Sequence, residues 1–161
     1  MTRAPAETDG LAERIAELGG RAGQEIGVTA WERFDQASVA CYAALVGETH
    51  WIHTDAERAA RSRFGSTVVQ ASLLMARFGA WIEACGVWLP EPAVPINYGY
   101  DRVRMLSPLR VGEPVRGRVA LGRFALSARS VRMDLHVEAE RPGGGKPVIS
   151  AEWIVMFQLE G

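Results

Sequence analysis

Cysteine is scarce in this sequence, with Cys41 and Cys85 the only two, set far apart inside apolar stretches. Lacking paired spacing, they form neither a disulfide framework nor a metal-ligand cluster, and both are expected to be buried thiols. An excess of one charge is missing too. Lys and Arg number 18 against 19 Asp and Glu, a formal net charge of -1, and neither sign gathers into a long run, which argues against a nucleic-acid partner. No apolar stretch is long enough to cross a bilayer, and MTRAPAETDG lacks a signal-peptide core, so a cytoplasmic protein without membrane contact is expected. Internal repeats and low-complexity tracts are absent, and no cofactor or metal is called for. What remains is 161 residues, 48% hydrophobic and 23% charged, the size and balance of one domain over residues 1–161 with an ordinary core.

Residues 1 to about 8 are polar and expected to be frayed. Asp9 can then cap a short helix carrying Leu11, Ile15 and Leu18, ended by Gly19-Gly20. GQEIGVTAWERF reads as one extended strand, after which Asp35 caps a second helix, QASVACYAALVG. ETHWIH is a loop, and a short helix begins near Thr54-Asp55 and runs through AERAARSR to a turn at Phe64-Gly65. A longer helix is predicted over about 66–84. Val69, Leu73, Ala76, Ala80 and Ala84 share one face of it, and Val68, Leu74, Phe78, Trp81 and Ile82 make the rest apolar, so the helix should be wrapped on most sides. From Val94 the pattern turns to β, with four strands, the last two joined by a turn at Pro142-Gly143-Gly144-Gly145. One strand, a long apolar helix and an antiparallel run make an α+β plan in which a curled antiparallel sheet wraps the helix.

Chemistry concentrates in GETHWIHTDAERAARSRFGSTVVQA, where Glu48 precedes His53 by five residues between two helices. A carboxylate and an imidazole within reach of one small molecule can activate water and deliver a proton. Taken alone, the spacing favours the plainer reading, a solvated Glu48 and a hydrogen-bonded structural His53.

The same stretch resembles the signature of the MaoC-like hydratases, G-D-x-N-P-I-H-x-D, a short helix, F-G, then H-G opening the central helix. Gly47, Ile52, His53, Asp55 and Phe64-Gly65 match. Trp51-Ile52-His53 and the downstream INYGYDRVRMLSPLRVGEPVRGRV are similar to the nodulation-protein-N-like branch, so the resemblance runs from Gly23 to Gln158. It implies a hot-dog fold, a homodimer with the site near the subunit interface, and hydration of a trans-2-enoyl thioester or dehydration of a 3-hydroxyacyl thioester, bound to CoA or to an acyl-carrier protein. It also implies that His53 and Glu48, in the family's Asp position, hold the water. The backbone N–H of Ala71, in the family's Gly position, would stabilise enolate charge at the thioester carbonyl.

The departures cluster at that centre: Glu48 for Asp, Gln70 for His, Ala71 for Gly, and Ala76 for a Ser that many relatives carry. They leave open a hydratase tuned to an unusual biosynthetic substrate, a site turned to isomerisation or intramolecular conjugate addition, and a non-catalytic subunit of a heteromeric hydratase. Substrate contacts are expected from His50, Trp51, Gln70, Asn97 and Tyr98. Trp81 and Trp88 suit an acyl pocket or plain core, Arg102 and Arg104 suit phosphates or simple solvation, and His136 is expected to be structural.

Overall fold

A computed structural model describes residues 5–159. The first helix, α1 (Pro5–Gly20), begins four residues before Asp9. The expected frayed end is therefore helical from Pro5, residues 1–4 lie outside the described range, and Asp9 lies within the helix rather than capping it. After β1 (Gln24–Val28) and the two-residue β2 (Glu32–Arg33) comes α2 (Gln36–Val46), whose ends follow the sequence closely. Asp35 accepts a hydrogen bond from the Ser38 N–H at 2.8 Å, and Gly47 closes the helix in the left-handed conformation, φ 73°. Two short helices follow, α3 (Trp51–Thr54) and α4 (Ala56–Ala60), the second capped by Asp55. ETHWIH is thus not wholly a loop. Its second half makes one helical turn, because His50 Nδ1 accepts from the Ile52 N–H at 3.3 Å and caps it.

The central helix is shorter than predicted and divided into α5 (Ala71–Ala76) and α6 (Phe78–Ala84). Residues 66–70 do not join it, because their backbone groups are taken by neighbouring segments: Val68 N–H donates to Ile52 O and Val69 N–H to Leu109 O, at 3.0 and 2.8 Å. At the division, Arg77 N–H bonds back three residues to Leu74 O, a locally tightened turn. Arg77 and Trp81 both donate to Glu32, at 3.2 and 2.5 Å, so one carboxylate on β2 ties the two halves together.

Four long strands complete the chain: β3 (Ala93–Met105), β4 (Pro114–Leu126), β5 (Ser130–Glu140) and β6 (Ile149–Leu159). The six-stranded sheet is antiparallel in the order β1-β4-β5-β6-β3, with β2 beside β4. The expected single strand over 23–34 is interrupted. There Thr29 N–H donates to Gly117 O at 2.8 Å, while Thr29 Oγ1 accepts from Gly117 N–H at 2.9 Å. Side chains of β5 alternate strictly, with Val131, Met133, Leu135, Val137 and Ala139 all fully buried, as a strand covered on one face demands. They meet Leu74, Phe78, Trp81 and Ile82 of the central helix in one core.

The arrangement is the expected α+β hot-dog fold, but the helix is not enclosed on most sides. Its large residues face the sheet, while Ala76, Ala80 and Ala84 are exposed in the single chain. Cys41 is exposed on α2 and Cys85 half-buried, so neither is the buried thiol expected. Trp81 belongs to the core and Trp88 packs edge-on against Phe157.

Helix and sheet approach closely at Gly117. A Cβ there would lie 2.5 Å from Trp81 Cδ2, and the indole has no space to yield because it is buried and tethered to Glu32. Gly117→Ala is therefore expected to destabilise the protein by about 1–3 kcal/mol. Urea unfolding measures this, and an unchanged midpoint would show that helix and sheet separate freely.

Candidate active site

His53 sits in the single turn of α3, held at both ring nitrogens. Nδ1 lies 2.7 Å from Val68 O, and since a carbonyl only accepts, this nitrogen carries a proton. Nε2 then faces Glu48 Oε1 at 3.3 Å. If the ring is neutral, Nε2 is a bare acceptor opposite a carboxylate, and the two attract only when a proton or a bound O–H lies between them. A proton or a bound O–H between Nε2 and Oε1 would join the two groups. Its side chains are 13% and 37% exposed, so the imidazole is enclosed and the carboxylate remains reachable.

Glu48 is delivered by the end of α2. The Gly47 turn reverses the chain, and Glu48 N–H donates to Ala43 O at 2.8 Å. Glu48 lines a cleft of about 330 Å3 together with Ala40, Ala43, Ala44, Thr49 and Thr54.

Ala71 is the first residue of α5, and the initial N–H groups of a helix lack intrahelical acceptors. The residue lines a second cleft, of about 240 Å3, with Val69, Leu74 and residues from Met105 to Leu109. Glu48 and Ala71 therefore open onto separate clefts in the single chain, where one shared cleft was expected. They are linked through the backbone, since the carbonyl holding His53 belongs to Val68, three residues before Ala71.

The other expected residues divide. His50 is exposed and serves as the cap of α3, and Trp51 is half-buried under the Arg58 guanidinium, 4.5 Å from its ring. Gln70 is 2% exposed and donates to Val39 O at 3.1 Å, while its Oε1 is buried without a partner. Asn97 accepts from Trp153 Nε1 at 2.8 Å and donates to Tyr100 Oη at 3.0 Å. Tyr98 is 62% exposed on the edge strand β3. Among the described contacts neither meets Glu48 or His53, so these two are not brought to the pair within one chain. Arg102, at φ 50°, is paired with Glu152, Arg104 is exposed, and His136 lies 3.4 Å from Glu138. No three His, Cys, Asp or Glu gather as a metal site among the described residues. Gln36, Thr67 and Val68 were not anticipated. Val68 acts through its carbonyl and carries no side-chain signal, whereas Gln36 could have been suspected as a polar residue just inside an apolar helix.

These features coincide with a known family. The MaoC-like domain model matches residues 17–141, and the chain belongs to that family. It is 33% identical over 147 residues to nodulation protein N of Rhizobium meliloti (strain 1021), covering 90% of this chain and 91% of that one. It is 32% identical over 146 residues to 3-hydroxyacyl-thioester dehydratase Z of Mycobacterium tuberculosis, covering 90% and 96%. Among solved structures, the (R)-hydratase from A. caviae involved in PHA biosynthesis superposes with a TM-score of 0.67 at 22% identity, over 83% of this chain and 94% of that one.

Gln70 gives the test of this local geometry. Val39 O is also the helical acceptor for Ala43 N–H, so removing the amide orphans nothing and relieves the unpaired Oε1, a defect of about 1–3 kcal/mol set against one ordinary bond of about 1. Gln70→Met is expected to unfold at the wild-type urea concentration or slightly higher. A marked fall would mean that Oε1 has a partner in solution.

Proposed function

We propose that this protein is a hydratase or dehydratase acting on an acyl thioester, with Glu48 and His53 as its acid-base pair. The observation that carries the reading is the 3.3 Å approach of Glu48 Oε1 to His53 Nε2 while Val68 O fixes the other ring nitrogen. A substrate water held by both groups loses one proton to the pair. Its oxygen bonds to C3 of a trans-2-enoyl thioester, the C2–C3 π electrons move toward the thioester carbonyl, and the pair returns a proton to C2. The N–H of Ala71 hydrogen-bonds the carbonyl oxygen as charge develops there. The reverse sequence dehydrates a 3-hydroxyacyl thioester.

Family membership and the dehydratase among the relatives support the reaction class, and the intact pair argues against a non-catalytic subunit. The thioester, on CoA or on a carrier protein, and its acyl group belong to this proposal. So does a homodimer, in which a second copy would cover the edge of β3, where Val94, Tyr98 and Met105 are exposed.

In this reading Glu48→Gln and His53→Ala each lower crotonyl-CoA hydration by about a hundredfold or more, with unfolding midpoints unchanged, and the double variant is scarcely worse than either single one. Loss of absorbance of the enoyl-thioester band measures this. Full activity in Glu48→Gln would remove the carboxylate from the mechanism.

Ala71 at this cleft, where the family pattern has Gly, favours one second reading, a site that isomerises or cyclises its substrate without adding water. Ala71→Gly separates the two. Clearing the carbonyl approach is expected to raise hydration of simple enoyl-CoA substrates, and an unchanged or lower rate in a folded variant would show that the methyl is no obstacle.

A further inference from the structure

We propose that Gln36, with Thr67 behind it, is the positioning residue that sets the ring of His53, an inference that rests on the acid-base reading of the Glu48–His53 pair. Gln36 is the first residue of α2, and the Asp35 cap fixes the turn it stands on. Its Nε2 donates to His53 O at 2.8 Å, and its Oε1 accepts from Thr67 Oγ1 at 2.5 Å. The carboxamide is thereby oriented, since turning it over would set its Oε1 against the His53 carbonyl, two acceptors face to face, whereas the Thr67 hydroxyl can pair either way.

Both ends of the bridge matter for the imidazole. As α3 is a single turn, the His53 carbonyl has no acceptor role inside it, and Gln36 takes up that orphan group. Thr67, 3% exposed, immediately precedes the residue whose carbonyl meets His53 Nδ1 at 2.7 Å and whose N–H meets Ile52 O at 3.0 Å. Gln36 therefore spans the backbone carrying the ring and the backbone carrying its acceptor, fixing their separation and, with it, the proton on Nδ1 and the direction of Nε2 toward Glu48. It touches neither the reacting atoms nor the clefts. A residue placed this way changes the rate through geometry, where an error of about 1 Å can cost on the order of a hundredfold.

The test uses 15N-labelled histidine in the ligand-free protein alongside crotonyl-CoA kinetics. With three histidines, the His53 signals are assigned by their loss in His53→Ala. Wild type should show a protonated Nδ1 and a bare Nε2 in the neutral ring. Thr67→Val, which removes one hydroxyl at constant shape, and Gln36→Met should each blur that pattern and lower kcat roughly ten- to a hundredfold while KM stays within about twofold. Thr67→Ser should restore most of both. An unchanged 15N pattern with unchanged kcat in folded Thr67→Val and Gln36→Met overturns the proposal. Should Gln36→Met fail to fold, Thr67→Val and its serine counterpart decide alone. Full turnover in His53→Ala would instead defeat the acid-base reading, and the 15N pattern, measured without substrate, would still decide whether Gln36 sets the ring.

Discussion

Residues 67–70 are held extended from two sides, and the polar groups of the site take their places from that restraint. Val68 N–H bonds Ile52 O on one side, while on the other Val69 N–H bonds Leu109 O and Val111 N–H bonds Thr67 O. A segment tied this way cannot wind into the helix that follows, so α5 starts at Ala71 with its first N–H groups free. The same ties present Val68 O to His53 Nδ1. Helix start, ring tautomer and the direction of Nε2 are consequences of one short extended run.

Electrostatics keeps other charges occupied elsewhere. On the outer sheet face Arg118 pairs with Glu140 and Glu25, and Arg116 pairs with Glu140. Burial pushes the Glu140 carboxyl up, but the hydrogen bonds from Arg118 and Arg116 outweigh it and hold the group below the usual carboxylate range. Glu48 has His53 as its only salt-bridge partner among the described residues.

Much of the architecture was legible because it rests on periodicity and turn chemistry. The Asp35 cap, the end of the second helix at Gly47 and the start of a short helix near Asp55 each have a local physical cause, and each appears where the residues place it. The errors have a common cause in tertiary hydrogen bonding. The run 66–70 has helical spacing of apolar residues, yet its backbone is claimed by Ile52 and by the 109–111 segment, which no local pattern reveals. His50 reads as loop and instead caps α3. Cys41 looks buried because most residues of α2 around it are apolar, but only Val39 and Ala43 are buried. At the site, His53 and Glu48 were legible as a motif. Val68 and the Gln36–Thr67 bridge were not, since one acts through its carbonyl and the other joins residues 31 apart.

The departures from the family pattern look different once their surroundings are known. Gln70 points its amide at the Val39 carbonyl, away from the cleft that its neighbours Val69 and Ala71 line. Alternation along an extended segment puts 69 and 71 on one side and 70 on the other. Ala71 is thus the departure that meets the cleft, whereas Gln70 fastens the start of α5 to α2. Glu48, one methylene longer than Asp, brings its carboxylate to 3.3 Å from Nε2. A scaffold that fixes Nδ1 of His53 through the Val68 carbonyl can accept Gln70 and Ala71, because that bond passes through neither side chain.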